Sequence, residues 1–277
     1  MNDTVTSSVI SNLTTHTHMK TLLPNNTGYM LNKVPEITLY FWIIKILATT
    51  VGETAADFLN VNLHLGLGGT SVAVGLALLG FLVVQLRAKE YVPWMYWIVV
   101  VLLSVFGTLV TDNLVDNLGV SLQMCTAVFS AGLVASFAIW YASEKTLSIH
   151  SVHTTRRELF YWAAIFFTFA LGTAAGDLAA EGLQLGYGIS VLVFAGMIAA
   201  ITFGHYVLKF NAIAAFWMAY ILTRPLGAST GDLLAQPVAA GGLGLGNVIT
   251  SSLFLVTILA LVSYMTVFQN KSQIKLK

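Results

Sequence analysis

The chain has 277 residues, of which 57% are hydrophobic and only 9% are charged, and its mean hydropathy is +0.80. A soluble domain carries about 25% charged residues, so the composition excludes a soluble enzyme or a nucleic-acid-binding module and indicates an integral membrane protein. The formal net charge is +1, and the single cysteine, Cys125, excludes a disulfide within the chain.

The chain begins with a polar segment. The first 34 residues are rich in Ser, Thr and Asn. They lack the apolar core of about 7–15 residues that a secretory signal peptide needs. We therefore predict a disordered polar N-terminal tail over 1–34.

Eight apolar segments follow from residue 36 onward. Each is close to the roughly 20 residues that a helix needs to cross a bilayer, and none alternates as a barrel strand does. We predict an all-α integral membrane protein whose eight transmembrane helices lie near 37–60, 67–87, 93–115, 120–142, 159–181, 187–208, 211–234 and 243–267.

The basic residues predict the orientation of these segments. Eleven of the 13 Lys and Arg residues lie in the tail, in the loops after even segments or at the C-terminus. No Lys or Arg occurs in the four turns between odd and even segments, near 61–66, 116–120, 182–186 and 235–242. Since Lys and Arg are enriched in cytoplasmic loops, we predict that both termini are cytoplasmic. The other two cations, Lys45 and Arg224, fall inside segments one and seven.

One motif occurs in every odd segment: an aromatic residue, Trp, nine residues, Gly, four residues and Asp. The Trp-to-Asp spacing is 15 residues each time. A carboxylate in hydrocarbon is costly, so these aspartates are candidate functional residues. The four copies are Phe41-Trp42…Gly52…Asp57, Tyr96-Trp97…Gly107…Asp112, Tyr161-Trp162…Gly172…Asp177 and Phe216-Trp217…Gly227…Asp232.

The motif spacing indicates four tandem two-helix hairpins in two halves of two. Successive motif aspartates are 55, 65 and 55 residues apart, and Leu-Gly-x-Gly or Leu-Gly-x-Ser opens every even segment. Every hairpin starts on the predicted cytoplasmic side, so we predict parallel repeats related by a pseudo-rotation about the membrane normal. The predicted units are a first half at 35–145, a linker loop at 146–158, a second half at 159–268 and a basic tail at 269–277.

The motif residues suggest separate roles. At 1.5 Å per residue, Asp lies about 22 Å from Trp along the helix. We interpret the tryptophans as anchors at the cytoplasmic interface. We interpret the repeated Gly as a position of close helix packing, because small residues let helices approach in lipid.

Further acids share helix faces with the motif aspartates. Residues four apart lie on one face of a helix, and the partners at that spacing are Glu53, Asp116, Glu181 and, in the fourth repeat, Gln236. Rows of carboxylate, hydroxyl and amide oxygens suit a hard cation, whose identity the sequence does not indicate. We predict seven ion-binding residues, Glu53, Asp57, Asp112, Asp116, Asp177, Glu181 and Asp232, and two residues that tune their charge, Lys45 and Arg224.

A structural explanation of the same acids stays open. Each Asp could cap its own helix or accept backbone N–H bonds from the Gly-rich start of a neighbouring even helix. Asp116 and Glu181 could also be exposed to solvent in the outer turn.

The hairpins resemble a bacterial family of uncharacterised membrane-anchored proteins, built from tandem two-helix repeats of unknown function with a Gly-Asp signature. The literal pair stands at Gly176-Asp177 and Gly231-Asp232, whereas the first two repeats have Ala56-Asp57 and Thr111-Asp112. The resemblance covers about 36–268 and implies a repeat-built membrane fold without implying an activity.

Three classes of function remain. We expect a secondary transporter or exporter of a hard metal ion or a proton-coupled cation, with no enzymatic activity and no cofactor. The alternatives are a non-transporting sensor or scaffold and an intramembrane enzyme using paired carboxylates, although the common hydrolase, protease and phosphate-binding motifs are missing. The expected partners are the lipid bilayer of a bacterial inner membrane and a small cation or proton, with no nucleic acid and with homo-oligomerisation left open.

Overall fold

The protein is all-helical in the part of the chain described by the computed structural model, residues 32–62 and 65–274. No strand occurs in these ranges. The eight α-helices are α1 Leu39–Asp57, α2 Gly66–Arg87, α3 Pro93–Asp112, α4 Leu122–Glu144, α5 Thr155–Asp177, α6 Tyr187–Tyr206, α7 Ala212–Ala235 and α8 Gly246–Ile274. A π-helical turn extends three of the odd helices, at Phe58–Asn62, Asn113–Asn117 and Leu178–Gly182.

These eight helices confirm the predicted all-α fold, and six of them are long and apolar enough to cross a membrane: α2, α3, α4, α5, α6 and α8. The other two, α1 and α7, contain Lys45, Glu53 and Arg224. These charged residues lower the mean hydropathy of their helices. All three are buried, with exposed fractions of 6% or less.

The odd helices form a closed inner bundle. Helix α1 packs against α3, α3 against α5, α5 against α7, and α7 returns to α1. Over an apolar stretch of 18 residues in each helix, 50% of α3 and 67% of α5 are buried, against 17–22% for the even helices. The polar faces of the odd helices therefore point toward one another, away from the surroundings of the protein.

The contacts around the repeated Gly confirm that it is a position of close helix packing. A Cβ added at Gly107 would lie 2.8 Å from the Cβ of Phe169 and 3.1 Å from the backbone N of Ala170. The residue met is always the one seven positions after Trp on the next odd helix: Gly52 meets Ser104, Gly107 meets Phe169, Gly172 meets Arg224 and Gly227 meets Thr49. One register therefore continues around the whole inner bundle.

The even helices surround this bundle, each on the odd helix of the next repeat. Helix α2 packs on α3, α4 on α5, α6 on α7, and α8 on α1. Large apolar side chains on their outer faces are exposed, among them Leu76, Val134, Leu192 and Leu259. Such a continuous apolar exterior suits contact with lipid.

The Leu-Gly sequence has a conformational reason. Its glycine adopts a positive φ of 69°, 67°, 75° and 74° at Gly66, Gly119, Gly186 and Gly244. Residues with a Cβ adopt this left-handed region at a cost of roughly 1–2 kcal/mol. The same turn therefore leads into the even helix of all four repeats.

The prediction that the motif tryptophans anchor the interface is wrong for three of the four. Trp97, Trp162 and Trp217 are buried, with 2–4% exposed. They pack within the bundle beside the aromatic residue that precedes each of them, with ring centroids 5.1–5.2 Å apart. Closure of the bundle turns these side chains toward neighbouring helices instead of lipid, which a hairpin considered alone does not reveal.

The segment before α1 is attached to the rest of the fold. Lys33 Nζ lies 2.8 Å from Glu158 Oε2, with both side chains 1% exposed, and it also donates to the carbonyl of Leu86. Val34 is buried as well. The predicted tail over 1–34 thus includes at least two packed residues, and its first 31 residues lie outside the described ranges. At the other end, α8 continues to Ile274, inside the predicted basic tail.

Candidate functional site

The seven predicted acids line one cavity of 170 Å³, here called the acidic cavity. They come from α1, α3, α5 and α7 and from the π-helical turns that follow α3 and α5. The lining consists of Glu53, Asp57, Asn60, Asp112, Val115, Asp116, Leu122, Asp177, Glu181, Asp232 and Gln236. The structure therefore brings all seven side chains together, as their spacing predicts.

Helix register explains why these acids converge. Positions 11, 15 and 19 after each Trp lie one turn apart on the same helix face. The middle layer holds the four motif aspartates, Asp57, Asp112, Asp177 and Asp232. Above it lie Asp116 and Glu181, which are exposed, and Gln236, which is partly exposed. Below it lies Glu53, which is 6% exposed, so the cavity deepens from an open mouth to a buried floor.

Arg224 closes the floor of the cavity. Its guanidinium, which is fully buried, donates to Glu53 Oε2 at 2.9 Å and to Thr173 Oγ1 at 2.7 Å. It also donates to Thr108 Oγ1 and to the carbonyl of Thr49. Glu53, Thr108 and Thr173 are the residues eleven positions after Trp in repeats one to three. The Arg224 guanidinium therefore binds the side chains at one equivalent position of the first three repeats.

Three carboxylates meet just above this floor. Glu53, Asp177 and Asp232 each offer one oxygen, and these oxygens lie within 4.8 Å of one another. Asp232 is 9% exposed, and in residues 32–62 and 65–274 no hydrogen bond or ion pair to its side chain is present. An isolated carboxylate in such a place is costly unless a counter-charge or a proton compensates it.

The structural explanation of the motif aspartates finds little support. Among the described residues, none of the four accepts a backbone N–H bond from the start of an even helix. Within the described residues, the only hydrogen bond to the side chain of a motif aspartate is a long one, from Asn247 Nδ2 to Asp57 Oδ2 at 3.5 Å. The aspartates instead face the cavity.

Two polar side chains that donate hydrogen bonds to acids of the cavity, without lining it, were missed in the sequence. Asn247 follows the first residue of α8, and Tyr187 is the first residue of α6. Tyr187 donates from its hydroxyl to Glu181 Oε1 at 2.9 Å. Tyr187 follows Leu185-Gly186 directly, and Asn247 directly follows the fourth Leu-Gly-x-Gly sequence. The Leu-Gly sequences were therefore the signal that could have identified both side chains.

Lys45 lies apart from the acids. Its Nζ is 4.3 Å from the ring centroids of both Phe169 and Tyr220, in a cation–π arrangement. No hydrogen-bond partner for this atom is found within the described part of the chain. Of the two cations predicted to tune the acids, only Arg224 contacts one of them.

Aromatic side chains close the opposite end of the inner bundle. This aromatic plug consists of Phe41, Tyr96, Tyr161, Phe216 and Tyr220, all buried. The hydroxyls of Tyr96 and Tyr161 lie 2.5 Å apart. About 24 Å of helix separates the residue before Trp from the motif Asp, so plug and cavity lie at opposite ends of the bundle.

The acidic cavity differs in chemistry from two larger ones. A cavity of 430 Å³ between α1, α6 and α7, and another of 480 Å³ beside α4 and α7, are mainly apolar and have no carboxylate among their lining residues. Only oxygen-bearing and aliphatic side chains line the acidic cavity where it is described. Its chemistry is therefore that of a binding site for a hard cation.

Comparison with known proteins identifies the repeat. The family model described as "Repeat of Unknown Function (DUF347)" matches residues 40–91, 95–146, 160–210 and 215–271. Each match covers one odd helix and the even helix that follows it, as the resemblance in sequence predicted. Neither the curated proteins nor the solved structures contain a match to the chain. With four copies of this two-helix repeat arranged around a closed inner bundle, the chain belongs to the DUF347 repeat family.

Proposed function

We propose that all eight helices cross the membrane as four parallel hairpins, with both termini in the cytoplasm of a bacterial cell. Six helices meet the length and hydropathy of a span. Helices α1 and α7 are equivalent to α3 and α5 in the repeat and are long enough to cross, and their charged residues face the bundle interior. The distribution of Lys and Arg supports the orientation.

We propose that the protein is a secondary transporter or exporter of a cation. The observation that carries this proposal is the convergence of seven acids from four repeats on one cavity. Intramembrane acids mark ion and proton pathways, and transporter sites form where repeats meet. The membrane potential or a proton gradient would supply the driving force.

In this mechanism a cation enters past Asp116 and Glu181 and exchanges water for the carboxylates of the motif aspartates. Arg224 stays at the floor as a fixed counter-charge for Glu53. A cation that continued along the bundle would meet Arg224, Lys45 and then the aromatic plug. Passage of the cation therefore requires a rearrangement of the inner helices. Such a rearrangement is expected of a transporter and not of an open channel.

The test is cation flux into proteoliposomes containing the purified protein. We expect wild-type protein to conduct flux and Asp177→Asn to abolish it while the variant remains folded in the membrane. Glu90→Gln is the matched control, since Glu90 is exposed between α2 and α3, outside the cavity. Equal flux in wild type and Asp177→Asn would remove these acids from the mechanism.

The closed aromatic end supports one alternative, a sensor that binds a cation without moving it. The Tyr96–Tyr161 contact and the buried rings around it seal the bundle opposite the cavity. Cation binding by the purified protein, combined with no flux above that of empty liposomes, would favour the sensor over the transporter.

A further inference from the structure

We infer that the innermost part of the acidic cavity is a site for a divalent hard cation, held by Glu53, Asp177 and Asp232. This inference rests on the proposed function, because it names the class of ion that the transporter would carry. Divalent cations of this class bind carboxylate oxygens at about 2.0–2.6 Å. Two ligands on opposite sides of one ion are then about 4.0–5.2 Å apart. The three oxygens lie within 4.8 Å of one another, which fits a single ion.

Asp232 provides an observation beyond the clustering of acids. Its side chain lines the cavity, is 9% exposed, and has no hydrogen bond or ion pair in the described ranges. Glu53, in contrast, is fixed by Arg224 at 2.9 Å. Asp177 likewise has no hydrogen bond or ion pair to its side chain in these ranges. The group therefore contains one oriented carboxylate and two without a partner, and a bound cation would supply that partner.

Charge favours a divalent ion over a monovalent one. When ionised, Glu53, Asp177 and Asp232 carry three negative charges, and Arg224 contributes one positive charge. The formal balance of this group is −2, which one divalent cation neutralises. The other four acids of the cavity add negative charge around this group, because Asp57 and Asp112 lie in the same layer as Asp177 and Asp232 and the last two acids lie at the mouth. They attract cations into the cavity.

The donor atoms narrow the class further. The described lining offers carboxylate and amide oxygens but no His, Cys or Met, so soft metals are disfavoured. It also has no aromatic ring, which recognition of a quaternary ammonium ion uses. The site therefore suits ions such as Mg²⁺, Mn²⁺ or Ca²⁺ as substrates.

Binding of Mn²⁺ to the purified full-length protein in detergent tests the inference, with the electron paramagnetic resonance signal of free Mn²⁺ as the readout. We expect saturable binding that Mg²⁺ or Ca²⁺ displaces and that K⁺ at equal ionic strength does not. Asp232→Asn should weaken binding by on the order of 10-fold or more, since even indirect support of a metal ligand is worth that much. Glu90→Gln should bind as wild type does.

If Asp232→Asn does not fold, competition between Mn²⁺ and the other cations in wild-type protein still tests the inference. Asp177→Asn serves as a second variant. Displacement by K⁺ as efficient as by Ca²⁺, or binding unchanged in folded Asp232→Asn, would overturn the inference. Mn²⁺ binding without cation flux would uphold this site while refuting transport. Monovalent flux without Mn²⁺ binding would uphold transport while refuting a divalent site.

Discussion

Arg224 is the residue that most clearly breaks the fourfold pattern. The equivalent position, seven residues after Trp, holds Thr49, Ser104 and Phe169 in the other repeats. Only the fourth repeat thus places a guanidinium in the inner bundle, where it contacts residues of the other three. One long side chain therefore links all four repeats within the inner bundle.

The Arg224–Glu53 pair should be strongly coupled in stability. Arg224→Met leaves a buried carboxylate without its counter-charge, and breaking such a pair costs about 3–5 kcal/mol. Adding Glu53→Gln to Arg224→Met should recover part of this loss, with a coupling free energy of about 1–3 kcal/mol. The measurement is the free energy of unfolding in detergent for both single variants and the double variant.

Arg156→Met is the control for this cycle. Arg156 pairs with Glu144 at 3.7 Å, but its side chain is 69% exposed. Exposed ion pairs contribute about 0–1 kcal/mol, so stability should hardly change. If the double variant lost the sum of the two single losses, the pair would not be energetically coupled.

The sequence predicted which acids line the acidic cavity, but it did not predict which side chains these acids contact. Helical spacing alone placed the seven acids on common faces, because residues four apart share a face whatever the packing. The grouping of Glu53, Thr108 and Thr173 around Arg224 depends on how four helices meet, which no spacing within one helix encodes. The buried Lys33–Glu158 pair was missed for the same reason, since it joins residues 125 positions apart.

At the scale of helices, the repeated Gly sets how closely the inner bundle can pack. Each one touches the next odd helix at the same register, so the bundle closes through four similar contacts. Small residues at such crossings bring backbones close and increase packing in lipid, where hydrophobic attraction between helices is absent.

Gly107→Ala should destabilise the protein. The new Cβ would lie 2.8 Å from Phe169 Cβ and 3.1 Å from a backbone atom of α5, so helices α3 and α5 must separate. Overpacking of this kind costs about 1–3 kcal/mol. Thermal unfolding in detergent should show a lower midpoint for this variant.

Gly80→Ala is the matched control. Gly80 lies within α2, and a Cβ there meets no atom within 4 Å. Ala has a higher helix propensity than Gly, so this variant should be as stable as wild type or slightly more stable. Equal destabilisation by both substitutions would contradict the assigned role of Gly107.

Element ends were predictable where a local rule applies. The Leu-Gly turns marked the starts of the even helices because a positive φ restricts the residue type. The π-helical turns after Asp57, Asp112 and Asp177 had no signal in the sequence. The buried position of Trp97, Trp162 and Trp217 was missed because hydropathy describes a helix in lipid, not a helix enclosed by others.

At the scale of the whole molecule, the two halves depend on each other. The first half contacts the second through the pairs α1–α7, α1–α8, α3–α5 and α4–α5. The first half alone would expose Glu53 and other carboxylates to lipid, and the second half alone would expose Arg224 and its own carboxylates. Exposure of charged groups to lipid is costly. The halves should therefore be stable only together.

Separate expression of fragments 1–150 and 151–277 tests this dependence. Each fragment alone should accumulate poorly in membranes, whereas co-expressed fragments should co-purify through a tag on one of them. Gly107→Ala should reduce co-purification because it disturbs the α3–α5 contact, and Gly80→Ala should not. Stable accumulation of either fragment alone would show that the halves fold independently.

The number of spans depends on α1 and α7, the two described helices that are not among the six candidate spans. Labelling should therefore target the positions that flank them. Glu36 and Leu65 flank α1, and Leu208 and Ala240 flank α7; all four are exposed. Replacing Cys125, the single native cysteine, with Ser gives a background in which one new cysteine reports its own side of the membrane.

If both helices cross with the proposed orientation, an impermeant maleimide should label Leu65→Cys and Ala240→Cys in intact bacterial cells. Glu36→Cys and Leu208→Cys should react only after permeabilisation, which also serves as the control that all four positions are reactive. The reverse pattern would invert the orientation. Labelling of both flanks of one helix from the same side would show that this helix does not cross, and the four repeats could not then be parallel hairpins.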